Sequence, residues 1–331
     1  MNFPTRKLPV TRIWYEMMNN EPMVSVIVLT YNHEAYIRQT LDGILMQKTE
    51  FTYEILIGDD VSSDCTRDIL AEYAAAYPDR IRLFLREKNL GATRNAYELL
   101  MAARGNYLAF CEGDDYWTNP EKLAIQVRFL ETHPEYIGCS HRCEIVDENG
   151  FRRADQKLSW VRERKCFTLR DFRGKYLPGQ TATIVKRNIF RDSTESYSFL
   201  YEASKDISDR TATLLYLSRG PFACLSETMS AYRRTEDKGI TNGLFKDNPD
   251  RIRNELIYTE KLEQLAAELT SQNDIFDDYY AFLYAWAVWR RLKHSAAETK
   301  RDLRETAAHI GAGLIHPVAI VRGVLQILGI R

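Results

Sequence analysis

Residues Val24–Thr30 read VSVIVLT, an unbroken apolar and β-branched run with no charge. A run of that kind is what a strand covered on both faces requires. Ala35–Gln47 follows, with Ile37, Leu41, Ile44 and Leu45 at helical spacing. The alternation then repeats, giving strands at Tyr53–Gly58, Ile81–Leu85 and Tyr107–Cys111 and helices at Thr66–Tyr77 and Ala92–Ala103. Asn119-Pro120-Glu121 has the order of an N-cap, a first-turn proline and a first-turn acid, opening a helix to about Thr132. Four strand–helix repeats of this length predict an α/β fold, its parallel sheet wound by right-handed crossovers.

Beyond Ile137 the pattern changes. A strand is expected from Cys139 to Val146, a basic loop over Arg152–Lys175 and a short strand at Thr181–Val185. A helix follows at Ser208–Ser218, then two short strands on either side of Ser226. From about Pro249 to Arg331 the spacing is helical almost throughout.

The 331 residues suffice for a large core without disulfide staples. Lys plus Arg total 45 against 46 Asp plus Glu, so nothing in the charge points to nucleic acid. Six scattered cysteines suit a reducing compartment. No apolar leader precedes Asn20, and no window of 18 uninterrupted apolar residues occurs, so a soluble, cytoplasmic protein is expected.

In open parallel sheets, ligands bind beyond the carboxyl ends of the strands. The first strand ends in Thr30-Tyr31-Asn32, the second in Gly58-Asp59-Asp60, the fourth in Glu112-Gly113-Asp114-Asp115. Two acidic clusters therefore converge on one sheet edge, where they repel unless a cation or hydrogen-bond donors compensate them. Hard oxygen ligands suit Mg²⁺ or Mn²⁺ beneath a diphosphate. The plain alternative is helix capping, which suits Asp64.

Four segments in this order carry a resemblance: VSVIVLTYN at 24–32, IGDDVSSDCT at 57–66, Asn89-Leu90-Gly91 with Arg94-Asn95, and EGDDYW at 112–117. Together they resemble the family 2 glycosyltransferases, inverting enzymes of the GT-A fold, over about residues 22–240. The EGDDYW segment is similar to that of bacterial members that build surface polysaccharides. The resemblance implies a Rossmann-like, mostly parallel sheet flanked by helices. It divides the chain into an extension (1–21), a nucleotide-sugar half (22–135), an acceptor half (136–240) and a helical C-terminal region (241–331).

It also implies roles. Thr30, Tyr31, Asn32, Glu34, Asp60, Arg94, Glu112, Gly113 and Asp114 would hold the nucleotide of a sugar donor, most simply UDP. Asp114 and Glu112 would hold Mn²⁺ or Mg²⁺. Asp115, Trp117, His141 and Arg233 would shape the sugar and acceptor side, the acceptor being a glycan or lipid-linked oligosaccharide. An inverting transfer needs a carboxylate to take the acceptor's proton. The family's spacing to Gly220 and to Met229-Ser230-Ala231-Tyr232-Arg233 assigns it to Asp209, with Asp206 as runner-up; the plain reading of Asp209 is a first-turn helix charge.

The chain departs from the family in places. Glu112 stands where Asp is common, Val61 where Gly is common, and Thr235 where many members have a metal-reaching His. Arg234, Lys238 and Thr241 are then candidates for the diphosphate.

Other features read as structural. Cys139, His141 and Cys143 alternate on one strand but lack a fourth metal ligand. The basic run Arg152–Arg173 is a solvated face, a flexible lid or a contact with the phosphate of a lipid-diphosphate acceptor. The apolar Ile310–Arg331 segment, with Arg322 and no acid, packs on the core, pairs a homodimer, or lies peripherally on the inner face of the plasma membrane. A sugar nucleotidyltransferase would carry a Gly-rich basic loop after the first strand, where this chain has Thr30-Tyr31-Asn32-His33-Glu34. A non-catalytic nucleotide-sugar scaffold is the other alternative.

Overall fold

The computed structural model describes residues 21–158, 161, 164–205, 208–234, 251–272 and 274–293. Strand β1 is Val24–Thr30, followed by helix α1 (Ile37–Leu45), β2 (Tyr53–Asp59), α2 (Thr66–Ala76) and β3 (Ile81–Leu85). Helix α3 (Ala92–Ala102), β4 (Tyr107–Phe110), the two-residue β5 (Tyr116–Trp117) and α4 (Lys122–Thr132) complete the first half. The second half holds β6 (Gly138–Val146), β7 (Cys166–Phe167), α5 (Leu169–Phe172), β8 (Val185–Arg187) and α6 (Phe199–Glu202). It ends with α7 (Asp209–Leu217), β9 (Phe222–Arg233), α8 (Arg251–Leu269) and α9 (Asp277–Lys293).

One mixed, mostly parallel sheet orders the strands β3-β2-β1-β4-β8-β6-β9-β5, with β7 also on β9. β1 pairs in parallel with β2 and β4, and β2 with β3. β8 runs against β4 and β6, so β6 resumes the direction of β4 and pairs in parallel with β9. Alternate residues of each central strand face opposite layers. Ile27, Leu56 and Leu108 join one core with α3, α7, α8 and α9. Val26, Val28, Ile55, Ile57 and Ala109 join the other with α1 and α4. Apolar cover on both faces explains why these strands are apolar without interruption.

Several expectations change, among them the loop expected over Arg152–Lys175, which holds β7 and α5. Thr181–Thr183 is a 3₁₀ turn, because the Gln180 side chain accepts the Ala182 amide at 2.7 Å; the strand starts only at Val185. The two short strands around Ser226 are one twelve-residue strand, β9, whose Ser226–Thr228 stretch is exposed. Cys139, His141 and Cys143 do not alternate regularly, because register shifts lie between Ser140 and Arg142 and between Arg142 and Cys143. Asp206, Thr235, Lys238, Thr241 and Ile310–Arg331 lie outside the described residues. Among the described residues no helix is long and apolar enough to cross a membrane.

Candidate active site

The turn Glu112–Asp115 joins β4 to β5 and is held from three sides. From α1, the Thr40 hydroxyl lies 3.0 Å from the Gly113 carbonyl and 2.6 Å from that of Asp115. From β1, Leu29 accepts the Gly113 amide at 2.9 Å. A Cβ at Gly113 would sit 2.5 Å from His33 Nδ1 and 2.9 Å from Thr30 Oγ1, so the close approach needs glycine. From β9, the Arg233 amide donates to Asp115 Oδ1 at 2.8 Å, and Gln180 Nε2 donates to Asp115 Oδ2 at 2.5 Å.

One carboxylate oxygen from each of Glu112, Asp114 and Asp115 comes within 4.8 Å of the others. Burial, then Asp114 and Asp209, push the Glu112 carboxyl up to about 8. Burial, then Asp114 and Glu112, hold Asp115 well above the carboxylate range despite Arg233 and Gln180. Three acids this close, two of them reluctant to ionise, are a site short of positive charge. Hard, clustered carboxylate oxygens fit a divalent cation of the Mg²⁺ or Mn²⁺ kind. Asp114, partly exposed, makes no side-chain hydrogen bond or ion pair among the described residues.

On the neighbouring strand ends, side chains staple loop to loop. Asn32 adopts φ 56°, and its Oδ1 accepts the Ser63 amide at 2.8 Å while its own amide reaches Ser62 Oγ. Glu34 Oε2 accepts the Cys65 amide at 2.8 Å. Both Asp60 oxygens accept backbone amides, from Leu90 at 2.7 Å and Gly91 at 2.9 Å. The carboxylate of Asp60 therefore ties the Asn89-Leu90-Gly91 segment to the end of β2. Thr30 is buried beside His33, while Tyr31 stands exposed at the rim. Arg94 is half-exposed, pairs with Glu98 at 3.3 Å and lies 4.6 Å over the Tyr201 ring. Val61 takes φ 70°, the conformation for which glycine is the ready residue and which strains a β-branched one.

Asp209 opens α7 and is exposed, with no side-chain hydrogen bond or ion pair among the described residues. The protein packed around its carboxylate raises its pKa, against Lys186 and Arg210. Its charge reaches Glu112 at the acidic turn.

Three residues expected on the acceptor side face elsewhere. Trp117 is buried: its Nε1 donates to the Ala182 carbonyl at 3.0 Å and Lys122 Nζ covers its ring at 4.1 Å. His141 is buried because the shifted register turns it inward; its Nδ1 lies 2.7 Å from the Arg142 carbonyl, and burial pushes the imidazole down to about 3. Arg233 is buried too, its guanidinium spent on the carbonyls of Asp114, Asp147 and Glu148 and on Gln39 Oε1. Of the three, Arg233 holds the acidic turn from behind. Gln180, which the motifs do not single out, touches Asp115 and Glu112, and the charge of Asp209 reaches Lys186.

The profile described as Glycosyl transferase family 2 matches residues 25–195, just over half of the chain. The chain belongs to glycosyl transferase family 2. Among curated relatives of this family 2 member, an uncharacterized protein of Mycobacterium tuberculosis (strain H37Rv) is 37% identical over 234 residues, covering 68% of this chain and 62% of that protein. The chain thus spans less than two thirds of that relative. The putative glycosyltransferase EpsE of Bacillus subtilis is 37% identical over 137 residues, covering 41% and 49% of the two chains. Among solved structures, Staphylococcus aureus TarS 1–349 in complex with UDP-GlcNAc superposes with a TM-score of 0.53 at 17% identity, covering 88% of this chain and 92% of that one. At that identity the likeness establishes the family's fold.

Proposed function

We propose that this chain is an inverting glycosyltransferase of the EGDDYW-bearing branch. It moves a sugar from a nucleoside-diphosphate sugar to a hydroxyl of a glycan or lipid-linked oligosaccharide in surface-polysaccharide synthesis. The observation that carries this reading is the acidic cluster at the end of β4, within reach of the charge of Asp209, which has no side-chain partner among the described residues. A UDP-sugar donor is supported by TarS, whose structures hold UDP-GlcNAc and UDP. A polysaccharide product is supported by the putative teichuronic acid biosynthesis glycosyltransferase TuaG of Bacillus subtilis, 40% identical over 114 residues.

Glu112 and Asp114, with Asp115 beside them, would hold Mn²⁺ or Mg²⁺, which when bound neutralises a leaving diphosphate. Thr30, Tyr31 and Asp60 border the nucleotide, with Arg94 on the same side. Asp209 takes the acceptor hydroxyl's proton as that oxygen bonds to the anomeric carbon and the carbon–phosphate-oxygen bond breaks, the pair leaving with the nucleoside diphosphate. A cytoplasmic place of action, with Ile310–Arg331 against the membrane or a second copy, belongs to the same proposal.

Calorimetric titration with UDP, GDP, dTDP and CDP, each with and without Mn²⁺, tests the site. One nucleotide is expected to bind tightly only with metal. Asp114→Ala should abolish that binding, whereas Asp209→Asn should keep it and lose transfer. Failure of all four nucleotides with folded protein would overturn the reading.

A further inference from the structure

Lys186 lies on β8 between Leu108 of β4 and Gly138 of β6, and it is buried. Its ammonium sits 4.1 Å from the Tyr216 ring centre and 4.5 Å from that of Phe110. Among the described residues it makes no hydrogen bond or ion pair, and two aromatic rings lie close to its ammonium. Aromatic faces hold a cation without neutralising it. Such a charge still acts on any unpaired acid nearby.

Tyr216 belongs to the helix that Asp209 opens. Asp209, Thr213 and Tyr216 fall at i, i+4 and i+7, so one face of α7 carries all three. Lys186 meets that face at Tyr216, and the helix's first residue is a carboxylate likewise lacking a side-chain partner among the described residues. The groups whose charge reaches Asp209 are Lys186 from β8, Arg210 from its own helix, Glu112 from the end of β4 and Tyr258 from α8. Arg210 is committed elsewhere, to the Gly174 carbonyl and Glu255. Glu112 repels. Burial pushes the Lys186 amine down to about 7, and Asp209 is the group that opposes this.

We propose that Lys186 is a positioning residue for Asp209, its aromatic-caged ammonium keeping that carboxylate anionic and ready to accept the acceptor's proton. The catalytic part of this rests on Asp209 being the base. No motif signals the caged cation.

The test uses the full chain labelled with [γ-¹³C]aspartate, with Mg²⁺ present, titrated by NMR. The resonance lost in Asp209→Asn assigns the carboxyl. Lys186→Met is expected to raise its midpoint by about one pH unit or more, while Lys186→Arg stays near the parent value. An unmoved midpoint in Lys186→Met overturns the assignment of Lys186 alone. In the parent protein, a [ζ-¹⁵N]lysine signal lost in Lys186→Arg must follow the Asp209 titration; one that does not also overturns it, even if Lys186→Met fails to fold. Transfer that survives in Asp209→Asn overturns the catalytic role together with the base, whatever the midpoints show.

Discussion

Lys122 is fully buried, its amine over the Trp117 ring and without a hydrogen-bond partner among the described residues. Burial pushes that amine down to about 7 from its ordinary value near 10.5. Unfolding returns the higher value, so between about pH 7 and 10.5 the unfolded chain binds the extra proton. Stability therefore rises with pH across that window, by roughly 1 kcal/mol per pH unit from this group. Below pH 7 both states hold the proton and the full cost of the buried charge is felt. Lys122→Met removes the slope. Urea unfolding should find the variant's advantage largest near pH 6.5 and shrinking by pH 9.5; a constant difference would refute the buried amine. Little of this was legible in the chain. Lys122 reads as an ordinary first-turn charge, and Gln180 as a loop residue, because a single polar side chain has no period to betray its burial. Glu112, Asp114 and Asp209 can be named as candidates from the chain because motif order and spacing point to them. His141 and Trp117 were misplaced because strand alternation says which residues share a face, not which face meets the ligand.

At the scale of elements, the strands, helices and their order followed from apolar runs and helical spacing, since both faces of the central sheet are covered. The errors fell where a local bond overrode the pattern, as when Gln180 capped Thr181–Thr183 into a 3₁₀ turn. Contacts between elements leave even less trace in sequence, and the seating of α1 on β5 shows how tight they are. A Cβ at Gly43, in the interior of α1, would lie 2.8 Å from the Trp117 carbonyl oxygen and 3.0 Å from its nitrogen. Both are backbone atoms of the strand that directly follows the acidic turn. Helix propensity favours Gly43→Ala by about 0.5–1 kcal/mol. Overpacking of this kind costs typically about 1–3 kcal/mol, because the backbone must move. The second effect is larger, so Gly43→Ala should lower stability in urea and weaken Mn²⁺ binding by the turn. A more stable variant with unchanged Mn²⁺ affinity would show that α1 and β5 can part without consequence.

For the molecule as a whole, the C-terminal helices belong to the core that carries the candidate base. Ile252, Leu256 and Leu262 of α8 and Tyr280 and Leu283 of α9 pack in one cluster with Leu214 and Leu215 of α7. Arg210, next to Asp209, reaches across to α8: its Nη2 meets Glu255 Oε2 at 2.8 Å, and Tyr279 of α9 donates to the same oxygen at 2.8 Å. Arg210 also lies 4.4 Å over Tyr258 and 4.8 Å over Tyr279. The paired side chains are only 9% and 12% exposed, so removing one partner strands a charge away from water. That typically costs about 3–5 kcal/mol, whereas replacing both by apolar groups of similar volume is often neutral. Glu255→Ala should accordingly unfold at much lower urea, and Arg210→Met with Glu255→Leu should recover most of the loss. Because α7, α8 and α9 share one core, far-UV circular dichroism and tryptophan fluorescence should trace the same single transition in each variant. Two separated transitions, with Glu255→Ala moving only one of them, would mean that the C-terminal helices fold apart from the sheet and that α7 stands without them.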